Sequence, residues 1–473
     1  MIRRGRRNSF RTLLRWLMFG AIVYGGFYVY SQMFVFNPDE ILEKSILREN
    51  KFETKIEEVV SPRHKIKAYL YEDKTNPIIS MSFLFKNAGK AAEDVDKLGI
   101  STLAEEVLLS GAGVWSDDIL KEKLEDNAIS ISFSSEKDDF FGALMTTKEN
   151  SALAYDMLKA ILTVPHLKEN DLERAKRRLQ EVLRLQQEHP KKVLALEFAK
   201  KIYGEHPYGR NPFGKKETIE KLSSNDLRDF IKKCFAKNNL LIGVAGDISA
   251  DELGIVLDDI YGALPEKANL NFVRKADINF MAKTEDIQLT TAQNIAMFAV
   301  EGVTRKHKDF YPLYIANFIF GGAGLNSRLS IAARENEGLT YSIGTALQLY
   351  DKASLVTGSF SSTPKNFDKV IKILQNEWDL FANKGVSLKE FDEAKKYLIA
   401  SYNLRFASIA NIADIMLHIQ KSDLGIDFLQ KRNEYVNNVS LEQVNEAAKK
   451  YFDSKKIIRV NIVNHKNNNE EHK

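Results

Sequence analysis

One pattern written twice along the chain limits its fold more than any other feature. KKCFAKNNLL at 232–241 is answered by KKYFDSKKII at 449–458, an offset of 217. LERAKRRL at 172–179 is answered by FDEAKKYL at 391–398, offset 219, and Gly111-Ala112-Gly113 by Gly322-Ala323-Gly324, offset 211. Three matches in one order at nearly constant spacing mean a duplicated unit of roughly 210 residues, which is the size of a domain. Within the first copy, Met81–Phe85 is an apolar strand, and Ile129–Phe133 and Phe140–Met145 alternate as partner strands do. Gly99–Ser110 is an amphipathic helix that stops at Gly111. Ser116–Asn127 is a second, with Ser116 as its cap and aspartates in its first turn. Helical periodicity runs from Asn170 to about Tyr203, broken at Pro190, and Leu240–Ala245 closes the unit as a strand. The expected fold is α+β: two tandem homologous α/β-sandwich-type halves, each a sheet packed by helices. They close like a clam on a cleft of the kind that holds ligands. The expected segments are 59–265 for the first half, 266–285 for a linker, 286–465 for the second half and 466–473 for a polar tail.

Charge is unevenly placed. Residues 1–37 hold six arginines and no acid; without them 62 Lys+Arg face 64 Asp+Glu, so the body is near neutral. No basic field asks for nucleic acid. Arginines precede an apolar run from Trp16 to Tyr30, lengthened by Leu13–Leu14 and Met33–Phe36. Residues 13–36 are therefore expected to cross a membrane as an uncleaved signal anchor with a cytoplasmic N-terminus. A cleaved signal peptide has the same order, but no small-x-small cleavage site follows the run. After the anchor, 1–37, comes a charged stalk, 38–58. The expected location is a bacterial inner membrane, single-pass, with the body in the periplasm. Cys234, the single cysteine, permits no intrachain disulfide and reads as a packed small hydrophobe.

The chemistry-bearing stretch is Gly99-Ile-Ser-Thr-Leu-Ala-Glu-Glu-Val-Leu-Leu-Ser-Gly111. With His206-Pro-Tyr-Gly-Arg210, Val244-Ala-Gly-Asp247, Gly321-Gly-Ala-Gly-Leu-Asn-Ser-Arg-Leu329 and Arg334 through Gly338-Leu-Thr-Tyr341, it resembles the insulinase, pitrilysin and mitochondrial processing peptidase family. The resemblance spans about residues 60–465. That family carries an inverted zinc motif, H-x-x-E-H, on the helix after the first strands. In register, the two histidines become Thr102 and Glu106, and the catalytic glutamate is Glu105. Positions i, i+3 and i+4 share a helix face, but a threonine hydroxyl is a poor zinc ligand. Two adjacent carboxylates also repel unless a cation or proton intervenes. The family's third ligand, a glutamate on a later helix, falls at Val182 with Glu181 beside it. No pair among the eight histidines has i, i+4 spacing, and His206, ahead of Pro207, is expected to make a structural hydrogen bond. No metal is expected on this chain.

The second half keeps what the first has lost. The resemblance assigns Arg334 and Tyr341, seven residues apart with Gly338 between them, to substrate holding and to stabilising the oxyanion of the tetrahedral intermediate. It implies a non-catalytic subunit of a two-chain peptidase, with zinc in a sister chain and a peptide or unfolded polypeptide as substrate. The other reading is a membrane-tethered scaffold or binding protein that keeps only the fold.

Overall fold

The computed structural model describes residues 55–464. Strands β1 (Ile56–Val60), β2 (Lys67–Glu72), β3 (Ile78–Phe85), β4 (Ser130–Ser135), β5 (Phe140–Thr147) and β6 (Leu240–Gly246) form one sheet in the order β1-β2-β6-β3-β5-β4. β2 and β6 are parallel and every other neighbouring pair is antiparallel. β3 reads IISMSFLF without alternation and is buried along almost all of its length. A strand covered on both faces has no reason to alternate.

Strands β7 (Lys283–Gln288), β8 (Asn294–Glu301), β9 (Ser342–Tyr350), β10 (Ala353–Ser362) and β11 (Ile458–Val463) form a second sheet, β7-β11-β8-β10-β9. Here β7 and β11 are parallel, as β2 and β6 are, and the rest antiparallel. Without β1, the two orders are the same walk through the same positions, so the duplicated pattern of the sequence is a duplicated sheet topology. β1 begins at Ile56, inside the span read as stalk, and β7 begins at Lys283, inside the span read as linker. Residues 262–282 carry no helix or strand. The apolar run at 13–36 lies outside the described residues. Among the described residues, no helix is long and apolar enough to cross a membrane.

Local chemistry sets the helix ends. The Asp117–Asp126 helix starts where Ser116 Oγ accepts from the Ile119 amide. Pro190, which cannot donate to the preceding turn, ends one helix at Glu188 and opens another, Pro190–Tyr203. The helices Ile100–Val107, Ser151–Thr163, Ser224–Cys234 and Ala250–Tyr261 bury their apolar faces with one face of the first sheet. Phe85 and Phe235 stack there at 4.2 Å. Cys234 is part of that core, and burial pushes its thiol up to about 12. In the second half, Trp378 packs among Phe298, Phe320 and Phe452.

The remaining faces are covered by exchange. Along β8, Ala296, Phe298 and Val300 point into their own half's core. Ile295 and Ala299 point the other way, to Leu194, Phe198 and Ile202 of the Pro190–Tyr203 helix from the first half. In return, the Ile409–Lys421 helix of the second half lies over β2, β3 and β6, burying Ile412, Ala413 and Met416 with Ala245. Gly243 permits this approach, since a Cβ there would stand 2.2 Å from the Ala413 carbonyl oxygen. Gln420 closes the contact with a 2.6 Å hydrogen bond to the Ile242 carbonyl.

Candidate functional site

The helix at the centre of the sequence argument is Ile100–Val107. Gly99 precedes it and has no side chain to cap it. Glu93 does the capping from six residues upstream, accepting from the Gly99 amide at 2.9 Å, the Ser101 amide at 2.9 Å and the Ser101 hydroxyl. Glu93 is buried, and desolvation pushes its carboxyl above the ordinary value. Leu103, Ala104 and Val107 face the core, which leaves Thr102, Glu105 and Glu106 together on the opposite, half-buried face.

Each of the three is engaged with the protein itself. Thr102 Oγ1 donates weakly to the Pro212 carbonyl at 3.4 Å. Glu105 accepts from the Ser135 amide at 2.6 Å and has Lys90 Nζ at 3.8 Å. Burial outweighs these contacts and pushes its carboxyl up to about 7. Glu106 pairs with Arg178 of the Glu169–Glu188 helix. The cation that two adjacent carboxylates require is thus supplied by the chain, as a guanidinium beside Glu106 and an ammonium beside Glu105. Glu181 turns away to solvent and pairs with Arg184 at 2.7 Å, and Val182 is half-buried. Sequence reasoning looked for a carboxylate near 182 and missed Arg178, which stands one helical turn earlier on the same face. Glu93 was missed too, because its role appears only when the chain folds back on the helix start.

These residues do not fit zinc. Its site needs neutral imidazoles and a carboxylate around one open position, and here a hydroxyl and two carboxylates are held by other partners. Among the described residues, no three His, Cys, Asp or Glu side chains form a group that could hold a metal ion. His206 is used structurally. Its Nδ1 accepts from the Tyr208 amide at 3.2 Å, so Nε2 carries the proton and donates to the Arg274 carbonyl at 2.9 Å.

Arg334 and Tyr341 lie in the second half, before β9. Arg334 sits in the wide helical turn Ile331–Glu335. Gly338, at φ 62°, ends that turn with its amide on the Arg334 carbonyl at 2.9 Å. Thr340 then anchors the backbone through its hydroxyl, 2.7 Å from the buried Ser361 carbonyl. Tyr341 projects outward, 79% exposed, and Arg334 is half-buried. Among the described residues, neither side chain has a hydrogen-bond or ion-pair partner. They share no bond with Thr102, Glu105 or Glu106.

A model of the insulinase family, peptidase family M16, matches residues 68–215, and a model of the peptidase M16 inactive domain matches residues 221–398. The two matches follow one another along the chain; the first covers β2 to β5, and the second runs from β6 through β10. This chain belongs to the insulinase family. The non-peptidase homolog YmxG of Helicobacter pylori is 26% identical over 392 residues, covering 81% of this chain and 89% of that protein. A probable mitochondrial-processing peptidase subunit beta of Schizosaccharomyces pombe is 27% identical over 346 residues, 69% of this chain and 74% of its own length. The solved structure of a peptidase M16 inactive domain from Pseudomonas fluorescens matches with a TM-score of 0.80. It covers 86% of this chain and 98% of that one at 22% identity, a likeness of fold.

Proposed function

We propose that this chain is a non-catalytic subunit of a two-chain insulinase-type peptidase whose zinc is carried by a sister chain. One asymmetry carries the reading. Thr102, Glu105 and Glu106 are each engaged by another group of the protein and the third position is an apolar Val182, whereas Arg334 and Tyr341 are left without partners among the described residues. Unpaired donors on a braced turn suit the stabilisation of charge that develops on a substrate held by another chain. The non-peptidase name of the Helicobacter relative agrees with the loss of chemistry, and the processing-peptidase relative is itself named as a subunit. The edge strand β4, paired only with β5 among the described residues, offers a free backbone edge to an extended peptide. The substrate is an unfolded polypeptide, and residues 13–36 tether the chain to a bacterial inner membrane with its body in the periplasm.

The test is reconstitution with the sister chain. The purified full chain is expected to hold no stoichiometric zinc by elemental analysis and to cleave nothing alone. With the sister chain it supports cleavage of an unstructured peptide. Replacing Arg334→Ala and Tyr341→Phe together lowers that cleavage by roughly 100-fold or more, the usual scale for lost oxyanion donors, and leaves assembly intact. Cleavage unchanged by the double substitution would discard the subunit reading in favour of a membrane-tethered scaffold.

A further inference from the structure

We propose that the cavity where the end of β3 meets the second half is a binding site for an acidic peptide segment. The cavity encloses about 820 Å³, and six lysines and arginines line it against two aspartates. In a body whose charges nearly balance, that excess is local. Two of the six are answered within the protein: Lys306 by Asp423, and Lys421 by Asp139 and Asp351. The other four, Lys86, Arg305, Lys352 and Arg405, form no ion pair among the described residues.

Three of these four residues, Arg305, Lys352 and Arg405, are anchored without being neutralised. Arg305 lies 4.4 Å from the centre of the Phe310 ring and 5.4 Å from that of Phe428, and Arg405 lies 5.8 Å from that of Tyr402. Such ring contacts orient a guanidinium and leave its charge available. Lys352 is fixed through its backbone, whose amide donates to the Tyr208 hydroxyl at 3.0 Å; that hydroxyl in turn donates to Asp138. Gathering like charges in one concavity costs Coulomb energy that an anion would reverse.

The geometry selects an extended anion over a compact one. The four cations come from four separate stretches: the end of β3, the loop after β8, the turn between β9 and β10, and the segment before the Ile409–Lys421 helix. No glycine-rich phosphate loop lies among the walls. Tyr350, Tyr402 and Phe428 supply apolar surface for the methylene stems of glutamates. A strand-like peptide, advancing about 3.3 Å per residue, sets successive carboxylates at spacings that scattered cations can meet. This inference concerns binding by the chain alone and stands or falls apart from the subunit reading.

The experiment is fluorescence anisotropy of labelled oligoglutamate and oligoglutamine of equal length with the full chain in detergent. Oligoglutamate is expected to bind at least tenfold more tightly, and to weaken as salt rises. The Lys86→Gln/Arg405→Gln variant is expected to lose at least tenfold in affinity at an unchanged melting temperature. Should that variant misfold, carbodiimide coupling of oligoglutamate to the wild-type chain decides the matter, with Lys86 and Lys352 the expected attachment points. Equal binding of the two peptides, undiminished binding by the folded variant, or coupling only to lysines outside the cavity would overturn the proposal. So would tighter binding of inorganic tripolyphosphate that displaces the peptide.

Discussion

Gly243 is the point at which adding one methyl group tests how the two halves hold each other. A Cβ there would lie 2.2 Å from the Ala413 carbonyl oxygen and 2.8 Å from the Leu417 amide nitrogen. Both obstacles are backbone, so no rotamer change relieves them. To reach ordinary contact at 3.4 Å, the Ile409–Lys421 helix must withdraw by about 1.2 Å or β6 must bulge. Overpacking of this kind costs about 1–3 kcal/mol. The withdrawal also strains the 2.6 Å bond from Gln420 to Ile242, worth about 1 kcal/mol net. The expected loss for Gly243→Ala is therefore about 2–4 kcal/mol. The assays are thermal unfolding of the full chain and hydrogen exchange. The midpoint should drop by several degrees, and amides of residues 409–421 should exchange faster than those of the Ser151–Thr163 helix. Gly254→Ala is the control. Gly254 is a helical residue whose added Cβ meets only Pro62 at 3.5 Å, so replacement should stabilise by about 0.5–1 kcal/mol. Equal stability of the two variants, or unaltered exchange in 409–421, would refute the argument that Gly243 is required by the crossing helix.

Two further predictions concern the degenerate site. Burial raises the Glu105 carboxyl from 4.5 to about 7, so the fold binds that proton more tightly than the unfolded chain does. Its stabilising contribution is full below 4.5 and is lost as pH climbs to about 7. Glu105→Gln should remove this decline and leave the protein about 1–3 kcal/mol more stable than wild type in mild alkali; parallel pH–stability curves for the two proteins would contradict it. Installing Thr102→His, Glu106→His and Val182→Glu should create a zinc site only weakly while Arg178 remains. Adding Arg178→Ala should tighten zinc uptake by tenfold or more in equilibrium dialysis, and failure of both variants to bind would mean the 182 register is wrong.

What was legible in the sequence was what neighbours along the chain decide. Ser116 announces a helix because its hydroxyl reaches an amide three residues on, and Pro190 breaks one because it lacks a donor. The repeat was visible because each copy must rebuild the same sheet. That Thr102, Glu105 and Glu106 share one helix face followed from their spacing, since they lie within one helical turn and a half. What escaped depends on distant residues. Nothing near Glu93 marks it as the cap of the Ile100–Val107 helix. Arg178 could have been found by extending the search one turn back from Val182 and admitting cations as well as ligands. The exchanged helices were hidden because Leu194 or Met416 reads as the apolar face of any helix, with no sign of which sheet it serves. The strand β7 was not legible because KTEDIQ is polar and exposed, and it is a strand only through pairing with β11.

The exchange of helices also sets a timetable. The first sheet's last strand ends at Gly246, but the helix that covers its second face ends at Lys421, roughly 175 residues later. At about 5–20 residues per second, a ribosome needs on the order of 9–35 s to deliver that cover. For that interval Ala245 and its neighbours on the sheet stand open to water. A newly made first half is therefore a client for whatever chaperone shields apolar surface, until the Ile409–Lys421 helix is made and covers it.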